Sequence, residues 1–391
     1  MSQSVPQQPL PPPLELSEPG SFAYYTLTQR WPAIAQQVAQ ERTWSPATVE
    51  ALEALRQSLP NGSVRALCDR AAPDTADWDG YLAPWLGQPW LALPWYPAEC
   101  YFYRRILEAT GFFLPGATQG LDPFAAPKQA ALQAALERWP PGCNGANGRP
   151  LQDLLEQALW GNQADLSLQP GKRSAGEAGG GLLQDQREAA IAHLAQRAGG
   201  RVEVVADNAG AELLGDLALA DALLARKLAG EVRFHLKPHP FLVSDATAAD
   251  ARDTLAALEA AADPALQRWG QRLQGYRRTG QLWLEDDFFW SAPLALGTMP
   301  AALARDLARA ELVILKGDAN YRRLLGDRHW AFSSDWAHIA GDFPAPLLLL
   351  RTLKSEVAAG LDAATIEWIR QRDPEWLTDG QWGIIQFYDP S

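Results

Sequence analysis

The sequence predicts an α/β fold, a three-layer α/β/α sandwich around a mostly parallel β-sheet, with an all-α region before it. Two observations predict this. The first half carries helical patterns that begin near prolines, as in residues 32–41, 46–57 and 127–137. The second half alternates short apolar runs with amphipathic segments, which is typical of a parallel sheet covered by helices on both faces.

Six apolar runs of the second half are the strand candidates. They are VEVVA (202–206), EVRFHL (231–236), 281–285, ELVIL (311–315), LLLL (347–350) and GIIQF (383–387). Helix candidates lie between them, at 212–228, 248–262 and near 320–325. Their alternation with the apolar runs favours parallel strands joined by crossover helices.

The chain divides into three predicted parts. Residues 1–19 are rich in Pro, Gln and Ser and are expected to form a disordered tail. Residues 20–200 are expected to form an α-helical N-terminal domain, and residues 201–391 an α/β/α catalytic domain that binds a metal. The length of 391 residues fits one large or two medium domains.

Composition narrows the class of protein. The net charge of -12 argues against a nucleic-acid or anionic-membrane partner, since both need a positive face. No apolar stretch approaches the ~20 residues of a spanning helix. Three Cys without CxxC spacing argue against a disulfide framework or a zinc knuckle, and they fit a cytoplasmic protein. The oligomeric state is not predicted.

Polar residues follow the first two strand candidates. Asp207 and Asn208 come after VEVVA, and Asp245 comes after the second strand and its proline-rich exit. Ligands of such sheets bind beyond the carboxyl ends of the strands, and oxygen-bearing side chains suit a hard divalent cation. Each residue could equally be a helix N-cap. Two Asp residues at corresponding positions on consecutive strands make a shared metal site more credible than either alone.

Two cationic segments follow later strands. The segment 316–322 (KGDANYR) offers a glycine, a helix N-terminus and Arg322 for bidentate phosphate binding. Arg351 and Lys354, after LLLL, suit phosphate oxygens. A capped helix with a solvated Arg and a solvated basic turn are the alternatives. Carboxylates, an amide and cations at one sheet edge form the set that phosphoryl transfer needs.

The catalytic roles stay open at this point. Asp207 and Asp245 could hold a metal that activates water, or one of them could attack phosphorus. Glu212, one helical turn past Asn208, is the candidate for acid–base work. Its alternative reading is an ordinary first-turn Glu that the helix dipole favours.

These segments resemble the DUF89 family of damage-control phosphatases. The resemblance is to subfamily III, which is marked by an RTxK motif and includes the acidic-residue methyltransferase-1-like proteins. It covers nearly the whole chain. In chain order the similar segments are GSFAYYTLTQRWP, CYFYRRI, LWGNQADLSL, DNAGAELLGDLALADALL, FHLKPHPFLVSDAT, LKGDANYRRLLGDRHW and LRTLK.

The resemblance implies a helical N-terminal region packed on an α/β/α domain. It also implies a divalent metal (Mn, Co, Ni or Mg) on Asp207, Asn208 and Asp245. The family's substrates include fructose 1-phosphate and related sugar phosphates, so a small phosphorylated metabolite is the expected partner. By the same resemblance, the residues that contact the substrate or line its site are Asn162, Glu212, Asp318, Asn320, Tyr321, Arg322 and Lys354.

The chain departs from the family pattern at two positions. Phe241 stands where the family usually has Trp, and Ala319 where it usually has Leu. Neither change removes a proposed ligand, but both could reshape a sugar pocket.

Two other functions compete with a phosphatase. The first is an S-adenosylmethionine-dependent protein carboxyl methyltransferase. It is disfavoured because the loop 206–210 (ADNAG) has one glycine, where such enzymes normally carry a glycine-rich loop. The second is a non-catalytic metal-binding scaffold. The intact set of Asp207, Asn208, Asp245 and Lys354 speaks against it.

Overall fold

The centre of the molecule is a seven-stranded β-sheet. The computed structural model describes residues 10–139, 148–161 and 181–390. The strand order is β1-β7-β6-β5-β2-β3-β4; β2 to β6 are mutually parallel, β7 is antiparallel to β6, and β1 is parallel to β7. The strands are β1 (Leu182–Asp185), β2 (Gly200–Val205), β3 (Ala229–Leu236), β4 (Leu282–Asp286), β5 (Leu312–Lys316), β6 (Leu347–Thr352) and β7 (Gly383–Tyr388).

Helices cover both faces of the sheet. In the described ranges, none has the length and apolar character of a transmembrane span. The helices are α1 (Phe22–Tyr25), α2 (Trp31–Glu41), α3 (Pro46–Ser58), α4 (Thr75–Leu82), α5 (Trp95–Thr110), α6 (Ala125–Arg138), α7 (Leu151–Trp160), α8 (Arg187–Gln196), α9 (Ala211–Ala225), α10 (Ala248–Glu259), α11 (Pro264–Arg278), α12 (Ala301–Leu307), α13 (Gly317–Leu324), α14 (Trp336–Ala340) and α15 (Ala363–Arg372).

Alternate strand residues enter two separate cores. Val313 and Leu315 of β5 belong to one core, whereas Leu312 and Ile314 belong to the other. The first core contains residues of α12 to α15 and apolar side chains of α1 to α5, many of them aromatic. The second contains residues of α6 to α11. Side chains alternate between the two faces along a strand, so a strand that is buried on both faces has a continuous apolar sequence. The predicted three-layer fold is confirmed.

The strand predictions are confirmed for six of the seven strands, with ends that agree within two residues. Strand β1 (Leu182–Asp185) was not predicted, because its four residues are too few to show a period. β1 belongs to the sheet although it lies before residue 201. The all-α region predicted over residues 20–200 therefore contains a strand.

The predicted disordered tail is wrong for residues 10–19. Leu14 and Leu16 are buried in the first core. The Leu14 backbone donates to the Asp327 carbonyl at 2.8 Å and accepts from the Trp95 amide at 2.9 Å. Leu14 and Leu16, which lie near the prolines, were the signal in the sequence that this segment packs against the rest of the protein.

A buried arginine joins the helical region to the sheet domain. Arg322 of α13 pairs with Glu99 of α5 at 2.6 Å and with Asp327 at 2.7 Å. Its guanidinium carbon lies 3.6 Å from the centroid of the Trp95 ring. The Asp327 carboxylate also accepts from the Tyr96 amide at 2.9 Å. Arg322, predicted to bind phosphate, is thus committed to two carboxylates and an aromatic face.

We expect Arg322→Met to destabilise the protein. The substitution leaves the Glu99 and Asp327 carboxylates buried without their cation, which costs about 3–5 kcal/mol. Urea unfolding followed by tryptophan fluorescence would measure the loss.

Arg309→Met is the control, because Arg309 is an exposed arginine whose ion pair with Asp306 spans 3.9 Å. Its loss should change stability by less than about 0.5 kcal/mol. Wild-type stability of Arg322→Met together with weakened phosphate binding would instead restore the predicted phosphate-binding role.

Candidate active site

Asn208 and Asp245 lie opposite each other on two paired backbone segments. Asn208 and Asp245 form an antiparallel bridge. The Ala209 amide donates to the Ser244 carbonyl at 2.8 Å, and the Ala246 amide donates to the Asp207 carbonyl at 2.7 Å. In such a pair the opposed side chains point to the same side, with Cβ atoms roughly 4.5–5.5 Å apart. The ends of β2 and β3 therefore bring the predicted amide and carboxylate ligands together.

The turn before Asp245 has an unusual backbone. Leu242 has φ 45° and Val243 has φ 68°, both in the left-handed region. A β-branched residue rarely adopts this conformation, and such strain persists only where the surrounding structure enforces it. The turn is closed by hydrogen bonds from the Ser244 amide to the Leu242 carbonyl (2.8 Å) and from the Asp245 amide to the Phe241 carbonyl (3.2 Å). This turn, which follows β3, sets the direction of the segment that carries Asp245.

The Asp207 carboxylate lies directly against Gly317, the first residue of α13. A Cβ built on Gly317 would lie 2.0 Å from Asp207 Cγ, and Gly317 has φ +84°. Both the contact and the φ angle therefore require glycine. The contact follows from the sheet order, because β2 and β5 are neighbours and their carboxyl ends meet at one edge.

The Asn208 amide is held in one orientation. Its Nδ2 donates to Asp207 Oδ2 at 2.7 Å and to Glu212 Oε2 at 2.9 Å. Its Oδ1 accepts from the Ser244 hydroxyl. Glu212 Oε1 in turn accepts from the Lys316 ammonium at 2.9 Å. Both Glu212 oxygens are thus engaged in orienting neighbours, which differs from the acid–base role expected from the sequence.

The carboxylates of the site repel each other. Burial, together with the charges of Glu212 and Asp245, raises the pKa of Asp207 well above its usual value, even though Lys354 and Lys237 lower it. Burial raises the pKa of Asp245 to about 6, against the opposing charge of Lys237, whose ammonium lies 3.4 Å from Asp245 Oδ2. These interactions are strong because the groups are buried close together.

The donor set fits a divalent cation. Asp207 and Asp245 supply carboxylate oxygens and Asn208 an amide oxygen, the ligands that hard cations prefer. Asp245 Oδ2 is buried and accepts no hydrogen bond from the described residues, although the Lys237 ammonium forms an ion pair with it at 3.4 Å. A cation would satisfy this atom and relieve the repulsion. Within the described ranges, no group of three or more His, Cys, Asp or Glu side chains forms a metal site, so a site here would depend on the amide.

Lys354 lies beyond the end of β6, near this cluster. Its charge lowers the pKa of Asp207, which requires the two groups to be near each other. The side chain is half-buried. No hydrogen-bond or ion-pair partner for its ammonium occurs among the described residues, whereas the Lys237 and Lys316 ammonium groups are paired. Lys354 therefore provides a positive charge available to a ligand.

Several residues predicted to contact substrate make buried contacts within the fold. Asn320 is fully buried and donates to the Lys316 carbonyl at 2.8 Å and to the Ala206 carbonyl at 3.3 Å. The Tyr321 hydroxyl accepts from the Ala359 amide at 2.9 Å. Arg322 and Arg351 are buried in networks of their own, and Asn162 lies outside the described residues.

Lys316 and Lys237 are important residues that the sequence analysis did not single out. The Lys316 ammonium contacts Asp216 at 2.7 Å and the Ala158 carbonyl at 2.8 Å, in addition to Glu212. A lysine that ends an otherwise apolar strand is the signal that could have found it. Such a lysine must have buried acceptors, because an unpaired ammonium is rarely buried.

Comparisons with known proteins identify the family of the chain. The sequence matches the family described as the damage-control phosphatase ARMT1-like domain over residues 26–367. Two proteins named damage-control phosphatase ARMT1 are similar along nearly the whole chain. The one from Mus musculus is 33% identical and covers 96% of this chain and 98% of its own length. The one from Danio rerio is 32% identical, and the match covers 97% of this chain and 98% of that protein.

A solved structure of a DUF89 family protein from Pyrococcus horikoshii aligns with a TM-score of 0.46 and 14% identity, covering 85% of this chain and 92% of that one. The family assignment depends on the sequence matches, which span both the helical region and the sheet domain. On these matches, the chain belongs to the ARMT1-like family of damage-control phosphatases.

Proposed function

We propose that this phosphatase hydrolyses phosphate monoesters of small sugars, such as fructose 1-phosphate, at the carboxyl edge of β2, β3, β5 and β6. One observation carries the proposal. Half-buried Lys354, whose ammonium has no acceptor among the described residues, lies near a cluster of buried carboxylates and an amide, because its backbone is bound to Asp318, next to the Gly317 that contacts Asp207. Enzymatic hydrolysis of a phosphate ester uses both a cation-binding cluster and a positively charged side chain.

Membership of the family implies a divalent metal in general, and we propose that Asp207, Asn208 and Asp245 hold Mn, Co, Ni or Mg here. When bound, the metal would neutralise phosphate oxygens and polarise the phosphorus centre. The chain's own residues fix the ligands. Gly317 lets Asp207 approach, and the hydrogen bonds that Asn208 donates to Asp207 and Glu212 turn its amide oxygen away from them. Lys354 binds the phosphate.

The sugar part of the proposal is supported by Asp318. Burial raises the pKa of this carboxyl group, but the charges of Arg351 and Arg322 more than offset it, so the pKa lies below its usual value. The carboxylate is therefore ionised at neutral pH. Arg351, the Lys354 amide and the Ser355 hydroxyl all bind Oδ1 of this carboxylate, so Oδ2 is the atom that we expect to accept from a sugar hydroxyl group.

The described residues do not favour methyl transfer. The one glycine of the loop 206–210 is Gly210, and a Cβ built on it would lie 3.2 Å from the Ala131 Cβ. Ala131 therefore occupies the side of Gly210 on which a side chain would lie. A retained signal from radiolabelled S-adenosylmethionine, with methyl transfer lost in Asp207→Ala, would revive this alternative.

We expect hydrolysis of fructose 1-phosphate, and of p-nitrophenyl phosphate, to require a divalent metal and to be lost in Asp245→Asn. The amide keeps the shape of the side chain but removes the ligand charge, so activity should fall by about 100-fold or more. A phosphate-release screen over sugar phosphates in Mn, Co, Ni, Mg or EDTA would measure it.

The control is Asp286→Asn, because Asp286 is an exposed carboxylate at the end of neighbouring β4. It should keep wild-type activity. Thermal melts give a readout apart from turnover, since a ligand that binds the folded state raises the melting temperature. Mn should stabilise the wild type and Asp286→Asn but not Asp245→Asn. Equal stabilisation of all three proteins would remove Asp245 from the metal site.

Lys354→Ala should mainly weaken substrate binding. A hydrogen bond to a charged group contributes about 1.5–3 kcal/mol, so KM should rise roughly 10- to 100-fold. Steady-state kinetics with the best substrate of the screen would measure the change.

Lys227→Ala, which removes an exposed lysine before β3 at the opposite sheet edge, should leave KM unchanged. An unchanged KM in Lys354→Ala would show that the phosphate binds elsewhere.

A further inference from the structure

We propose that Arg351 is a positioning residue, and that it acts on the substrate only through Lys354, by clamping the segment 353–359 that carries this lysine. The inference rests on the proposed phosphate-binding role of Lys354. It differs from the role predicted from the sequence, in which Arg351 itself contacts phosphate oxygens.

The Arg351 side chain has no access to a ligand. It is fully buried, and each of its three nitrogens is engaged. Nε donates to Asp318 Oδ1 at 2.8 Å, and Nη1 donates to the Val357 carbonyl at 2.5 Å. Nη2 donates to the Ser355 carbonyl at 3.3 Å and to the Ser355 hydroxyl at 3.0 Å. A guanidinium committed in this way cannot turn to a phosphate without breaking the segment apart.

The face of the guanidinium is covered as well. The Arg351 guanidinium carbon lies 4.1 Å from the centroid of the Tyr321 ring. Tyr321 is fully buried and is itself fixed by the hydrogen bond from the Ala359 amide to its hydroxyl. Stacking on an aromatic face and a planar fork of donors are the features that distinguish arginine from lysine. The site therefore requires arginine for its shape, besides its charge.

The clamp reaches Lys354 through Asp318. Asp318 Oδ1 accepts from the Lys354 backbone amide at 3.2 Å and from the Ser355 hydroxyl at 3.0 Å, in addition to Arg351. Asp318 lies in the first turn of α13, which begins at Gly317 against the Asp207 carboxylate. The backbone from which the Lys354 side chain extends is thus tied to the helix that packs against the predicted metal ligands.

The charges agree with this assignment. The Arg351 cation and the Asp318 anion lie 2.7 Å apart and compensate each other. The Lys354 ammonium is left without an anionic partner among the described residues, beside the helix that packs against Asp207. A lysine side chain is long and flexible, so a fixed backbone origin reduces the disorder of its ammonium and the cost of ordering it on the substrate. A misplacement of about 1 Å at a catalytic group can cost roughly 10²-fold in rate.

A double-mutant cycle tests the proposal. Arg351→Lys keeps the charge but loses the fork, and should lower kcat/KM about 10- to 100-fold, chiefly through KM. In the Lys354→Ala background the same substitution should cost less than about threefold, because the group that it positions is gone. Ser355→Ala, a milder change to the same clamp, should shift KM in the same direction by a smaller factor.

Arg323→Lys is the matched control. Arg323 is also almost fully buried, donates to the backbone carbonyls of Phe289, Trp290 and Leu294, and stacks on the Phe289 ring, but it has no contact with the clamped segment. It should lower the melting temperature and leave KM unchanged in both backgrounds. Equal effects of Arg351→Lys with and without Lys354 would overturn the proposal.

Hydrogen exchange separates this proposal from the proposed function. The amides of Lys354 and Ala359 should exchange faster in Arg351→Lys than in the wild type, and at the wild-type rate in Arg323→Lys. If the wild type hydrolyses no sugar phosphate while exchange changes in this way, the clamp stands and the proposed function fails. If the wild type is active but exchange at Lys354 is the same in Arg351→Lys, the clamp is refuted.

Discussion

The close contact between the Asp207 carboxylate and the backbone of Gly317 is the constraint on which the rest of the site depends. A side chain at position 317 would lie where the carboxylate is. The contact ties the end of β2 to the start of α13 after β5. It fixes Asp207, and Asp207 together with Glu212 fixes the Asn208 amide. The strained turn after β3 then brings Asp245 to the same place from the other side.

Most buried charges at this edge of the sheet form ion pairs. Lys316 pairs with Glu212 and Asp216, and Arg351 pairs with Asp318. Buried ion pairs add little net stability because both charges lose their hydration, but they fix geometry, since breaking one leaves an uncompensated charge. We interpret these pairs as positioning devices. Lys354 and the Asp207–Asp245 cluster differ from them, since their charges are incompletely balanced, and a phosphate with its metal would balance both.

The sequence located much of this edge because one rule, that ligands bind beyond the ends of parallel strands, is independent of tertiary detail. It led to Asp207, Asn208, Asp245, Asp318 and Lys354, which the fold gathers at one edge. Their roles toward metal and substrate stay predictions.

The sequence could not show the partners of residues that contact distant parts of the chain. Asp318 and Arg322 belong to one polar segment after β5, and both were expected to contact substrate. Arg322 pairs with Glu99, which lies on a helix more than 200 positions earlier in the chain. Arg351 is similar, because a basic residue at a strand end looks the same in the sequence whether it faces solvent or a buried carboxylate. No local period reveals such partners.

The most direct test of the central claim is a crystal structure of the protein grown with Mn, with anomalous scattering used to locate the metal. The account predicts one strong peak that contacts oxygens of Asp207, Asn208 and Asp245, with the Lys354 ammonium on the open side of the metal. A peak bound by other residues, or these three side chains pointing into separate regions with no metal between them, would contradict it.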